Sequence, residues 1–122
     1  MPDNQQLLDF SYLIEMVGDD PVFLIEFFET FIKQTPIYLG EMTEALASEN
    51  WSKVANCAHK IKPTFSYIGR NDVKEFVQTI EHNARNMISL EKISVDIERL
   101  EFLLVQIYDQ LEVAKKEMQT RL

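Results

Sequence analysis

ISVDIERLEFLLVQIYDQLEVAKKEM, residues 93–118, decides the fold class. Its apolar residues Ile93, Ile97, Leu100, Leu104, Ile107, Leu111, Ala114 and Met118 recur at alternating spacings of four and three. That rhythm keeps one stripe on one side of an α-helix and has nothing of the two-residue period of a strand. An apolar stripe of this length needs cover, so the helix predicts partners of its own kind.

Upstream the same pattern repeats. Val73, Phe76, Val77, Ile80, Ala84 and Met87 line one face, and Asp72 with Glu75 three residues on reads as a capping box opening that helix. Before it, Trp51, Val54, Ala58, Ile61, Phe65 and Ile68 form one stripe, from an Asn50 cap to a Gly69 stop. The segment Val22–Ile32 is densely apolar, with Leu24, Phe27, Phe28 and Phe31 at helical spacing and Val22, Phe23, Ile25 and Ile32 widening the stripe. Asp19, Asp20 and Pro21 supply its start. Thr35–Pro36 predicts a kink or a restart, because proline cannot donate to the backbone ladder, and Ile37, Leu39, Met42 and Leu46 carry the pattern on to about Ser48. Leu7, Phe10, Leu13, Ile14 and Val17 predict a short first helix stopped by Gly18. Short connections favour antiparallel neighbours. The expectation is an all-α fold: an antiparallel up-down four-helix bundle with an additional short N-terminal helix across it, forming a single domain over residues 1–122.

Composition narrows the function. A 46% hydrophobic share fits a folded core, and a net charge of −8 opposes general nucleic-acid binding. A single cysteine, Cys57, excludes an internal disulfide, and no Cys/His cluster has zinc-site spacing. No basic-then-apolar leader and no membrane-length apolar run is visible, so a cytoplasmic protein is expected.

One residue sits on the wrong face of its helix. At about 100° per residue, His59 falls roughly 130° from the centre of the Trp51–Ile68 stripe, and so projects into solvent. Ala55 and Asn56 lie one turn before it, Lys62 and Pro63 one turn after, and Ser52 and Ser66 about two turns away. Small neighbours leave the imidazole open to a large partner. The helices flanking Gly69 must run antiparallel, and His59 lies nine residues, about 13 Å, before Ile68. The same count forward from Asp72 reaches Glu81, level with His59. A carboxylate there could accept from Nδ1–H, fixing the tautomer and leaving Nε2 as the nucleophile, or could pair with Lys62. Arg85, one turn further, adds positive charge near an anion. His82 lies opposite its own stripe and reads as solvated. The aromatics of Val22–Phe31 read as core more than docking patch, and Tyr67 as an exposed rim residue.

Ala58-His59-Lys60-Ile61-Lys62, followed by Ile68-Gly69, resembles the signature of histidine-containing phosphotransfer domains, A-H-x-L-K-G and then L-G. Gly18-Asp19-Asp20-Pro21, Asn50-Trp51 and Ile80-Glu81 with Ala84-Arg85 fall where that family has similar features, so the likeness spans roughly residues 10 to 86. The resemblance implies that His59 is the phosphoacceptor, that Lys62 helps hold the phosphoryl oxygens with Lys60 adding charge, and that Glu81 hydrogen-bonds the imidazole. It implies response-regulator receiver domains and a hybrid sensor histidine kinase as partners. Mg²⁺ is then expected on the receiver, with no cofactor on this chain. A monomer is expected, with Ala55, Asn56, Pro63, Ser66, Tyr67 and Arg85 facing the partner. Pro63 departs from the pattern, standing where the family usually has glycine, and predicts a kink one turn past the histidine. Two other readings stay open: an adaptor that sequesters a receiver without being phosphorylated, and the substrate domain of a larger histidine kinase. The sequence carries no glycine-rich phosphate loop, so autonomous use of ATP is not expected.

Overall fold

Asp9, just ahead of the first helix, binds both the N–H and the hydroxyl of Ser11 through Oδ1, at 2.9 and 2.6 Å, and so opens α1 (Ser11–Val17). Gly18, at φ +90°, closes it in a conformation that side-chain-bearing residues rarely adopt. Asp20 then accepts from the Val22 N–H at 3.0 Å, and Pro21 takes the first position of α2 (Pro21–Ala47). Asn50 accepts from the Lys53 N–H at 3.2 Å to start α3 (Trp51–Ile61), a cap worth about 1 kcal/mol. The short α4 (Thr64–Tyr67), α5 (Asn71–Asn86) and α6 (Leu90–Gln119) complete the chain. This computed structural model describes residues 6–122. The stretch from Met1 to Gln5, where the search for a leader begins, lies outside the described residues. Among the described residues the secondary structure is all helical, with no strand.

The long helices meet through the predicted stripes. α3 lies against α2 and α5, α6 lies against α2 and α5, and α1 rests on α4. Leu24, Phe28, Met42, Val54, Ile61, Phe65, Val77, Ile80, Leu100, Leu104 and Ile107 form one continuous core. Burying a side chain the size of Phe28 contributes about 1.5–3 kcal/mol. Cross-helix pairs run in opposite senses. Thr35 and Thr43 of α2 reach Tyr108 and Glu101 of α6, while Asn56 and His59 of α3 reach Arg85 and Glu81 of α5.

Several expectations are corrected. α2 continues through Pro36 as one helix and does not restart. Beside it, the Thr35 hydroxyl donates to the Phe31 carbonyl at 2.7 Å and meets the Tyr108 hydroxyl at 2.6 Å, which ties this stretch of α2 to α6. The stripe from Trp51 to Ile68 is carried by two helices rather than one, and the break at Lys62–Pro63 falls where a kink is expected, because Pro63 has no N–H to offer the His59 carbonyl. The Asp72–Glu75 capping box does not form, since α5 already begins at Asn71 and Asp72 lies inside its first turn, where it pairs with the buried Arg70 guanidinium at 3.0 and 3.1 Å. Val22, Phe23, Ile37 and Met87 are exposed rather than part of the stripes. Met87 lies past the helical register, in a left-handed conformation that ends α5.

Candidate functional site

Two turns set the site. The Asn50 cap fixes where α3 begins, and hence which way His59 points. At the far end Gly69, at φ +74°, closes α4. There the Arg70 N–H bonds the Phe65 carbonyl at 2.9 Å and the Gly69 N–H bonds that of Ser66 at 3.2 Å. The chain then returns as α5 alongside α3. The turn has no room for a side chain, because a Cβ on Gly69 would lie 2.6 Å from the Asp9 Cβ and carbonyl oxygen.

That return brings Glu81 level with His59. His59 Nδ1 lies 2.9 Å from Glu81 Oε2, with the imidazole side chain 66% exposed and the carboxylate 13% exposed. Lys62 Nζ lies 2.7 Å from the other oxygen, Oε1. Arg85 Nη2 stands 3.4 Å from Glu81 Oε2 and 3.4 Å from Asn56 Oδ1. Glu81 thus faces the imidazole and the Lys62 ammonium at once. Burial pushes its carboxyl up, but Lys62 first and His59 second outweigh that and hold it below the ordinary glutamate value. An ionised carboxylate accepts only, so the shared proton belongs on Nδ1 and the exposed Nε2 keeps its lone pair.

The other sequence-singled residues divide. Asn56, Lys62 and Arg85 join His59 and Glu81 in one cluster. Lys60 turns the other way, its ammonium 5.9 Å from the centre of the Tyr38 ring on α2. Ala55 is fully buried and offers nothing to a partner, which corrects its place on the docking face. α3 is flanked on both sides, by α2 and α5, and so buries a wider arc than its apolar stripe alone implies. Pro63 is exposed at the helix break, and Ser66 is half-buried. Tyr67 is half-buried rather than exposed. It stacks on Tyr12 at 5.4 Å and meets Phe27 edge-on at 5.9 Å, because α1 folds over it. His82 is exposed, as expected. Tyr38 was not anticipated, yet counting finds it: Lys60 lies ten residues after Asn50 and Tyr38 ten before Ser48, on either side of one tight turn. Among the described residues, no group of three or more His, Cys, Asp or Glu side chains is placed to hold a metal ion.

An exposed imidazole, oriented through Nδ1 by a mostly buried carboxylate on an all-helical scaffold, is the arrangement of a histidine-based carrier domain. The Hpt domain family model matches residues 26–114, a span that includes His59, Lys62, Glu81 and Arg85, and the chain belongs to that family. Membership brings histidine phosphotransfer in two-component signalling, in which Hpt domains interact with receiver domains and kinases. Comparison with curated proteins and with solved structures gave no match. No helix among the described residues is long and apolar enough to cross a membrane.

Proposed function

We propose that this chain is a phosphorelay carrier that takes a phosphoryl group on His59 Nε2 from a receiver-domain phospho-aspartate and passes it to a second receiver. The observation that carries the reading is the 2.9 Å contact between Nδ1 and Glu81 on an otherwise open imidazole. In the accepting step the Nε2 lone pair forms the N–P bond as the aspartyl O–P bond breaks, and the receiver's carboxylate leaves with that electron pair. The proton stays on Nδ1. Positive charge therefore grows on the ring as the bond forms, and Glu81 lies where it stabilises that charge. The reverse sequence returns the group to an aspartate.

This chain's part is positioning and charge, and the rest of the phosphoryl-transfer apparatus, Mg²⁺ included, belongs on the receiver. The four long helices, α2, α3 with α4, α5 and α6, form an antiparallel up-down bundle in this reading. The opposite-running pairs between α2 and α6 and between α3 and α5 support it. A monomeric cytoplasmic carrier served by a hybrid sensor kinase fits one exposed site on one face.

Two receiver domains test the cycle. Label supplied on the first should appear on a peptide containing His59, and then on the second receiver only when this chain is present. Binding to both receivers without passage of label would instead support a sequestering adaptor, with the exposed Pro63 as the obstacle.

A further inference from the structure

Glu81 has more cations than one carboxylate needs. Lys62 holds Oε1 at 2.7 Å and is 19% exposed, so in this state its ammonium is committed to Glu81 rather than free beside Nε2. Arg85 is not committed. Its Nη2 sits at 3.4 Å from both Glu81 Oε2 and Asn56 Oδ1, at the long edge of a hydrogen bond to each, and the side chain is 49% exposed. It lies one turn from Glu81 on the same helix, so a rotamer change closes the gap without moving α5.

A phosphoryl group on Nε2 brings about −1.5 to −2 of charge next to the Lys62 stem, and it competes with a single carboxylate for the ammonium. Glu81 cannot release Lys62 unreplaced, because a carboxylate 13% exposed is costly to leave unpaired. The planar guanidinium of Arg85 can take both carboxylate oxygens.

We propose that Arg85 is a positioning residue that replaces Lys62 on Glu81 when His59 is phosphorylated, releasing Lys62 to the phosphoryl oxygens; the idea rests on His59 being the phosphoacceptor. Arg85 then acts through Lys62, and Asn56 is its resting place in the unmodified protein.

A double-mutant cycle on phosphohistidine lifetime tests this. Each chain is labelled from a phosphorylated receiver domain and separated from it, and loss of label is followed at constant pH, so partner docking plays no part. Lys62→Gln shortens the lifetime. Arg85→Gln shortens it about two- to fivefold, because Glu81 holds Lys62 back. Lys62→Gln/Arg85→Gln is no shorter than Lys62→Gln alone. Unfolding midpoints within about 2 °C of wild type show that the lifetimes do not report a loosened fold. Losses that multiply in the double variant, or an unchanged lifetime in either single variant, overturn the exchange and leave the carrier reading standing. Absence of label on the wild-type chain overturns both.

Discussion

Replacing Asp96 with asparagine should stabilise this domain. Asp96 lies on α6 among Ile93, Ile97 and Leu100, is 2% exposed, and its Oδ2 is buried with no hydrogen-bond partner among the described residues. Burial raises its carboxyl above the usual aspartate value, with Lys92 pulling the other way and losing. The folded chain therefore holds that proton to higher pH than the unfolded chain does. Stability from the bound proton is fully present below the unfolded aspartate value and is lost as pH rises through the folded one. At neutral pH the wild type keeps an unsatisfied polar group in its core, a penalty of about 1–3 kcal/mol. An amide of the same shape removes the charge but still wants partners, so the expected gain is about 1 kcal/mol. For a domain of this size that is a rise of about 3–6 °C in Tm. Thermal unfolding of both chains from pH 4 to pH 8 reads the effect. The variant should be the more stable at pH 7, with the gap closing toward pH 4. A variant no more stable at pH 7, or a gap that ignores pH, would refute the reasoning.

Three further outcomes are expected. Glu81→Gln keeps an acceptor for Nδ1–H but loses the charge that stabilises the ring, so initial rates of label transfer from a receiver should fall about five- to thirtyfold. Gly69→Ala combines a left-handed backbone with a 2.6 Å approach to Asp9, so urea unfolding should show a loss of about 2–4 kcal/mol. Pro63→Ala supplies an N–H to the His59 carbonyl, and hydrogen exchange at the amides of residues 64–66 should slow as α3 and α4 join.

Much of this was legible in the sequence, for physical reasons. The α6 stripe from Ile93 to Ala114 is buried where its spacing put it, because a helix packed along its whole length obeys its own period. The Asp20–Pro21 and Asn50 starts depend on side-chain chemistry local to the turn, and so did the outward direction of His59. Glu81 came from counting equal distances along the chain on either side of one tight turn. What escaped was set by neighbours. Ala55 is covered because α3 is flanked on two sides. Tyr67 is covered because α1 folds back on α4, a contact between segments about 55 residues apart that no local period encodes. Asp72 reads as a cap, but α5 already begins at Asn71 and Asp72 pairs with the buried Arg70, and nothing in the spacing shows that Arg70 is buried. Pro36 is the opposite case. Packing against α6 carries α2 past a residue that local propensity reads as a break.

The most direct test of the carrier role is label transfer from a phosphorylated receiver domain to the wild-type chain and to His59→Gln, followed by an acid wash. The account predicts label on the wild type alone, stable at alkaline pH and lost in acid. Label that survives acid, or that appears equally on His59→Gln, would contradict it.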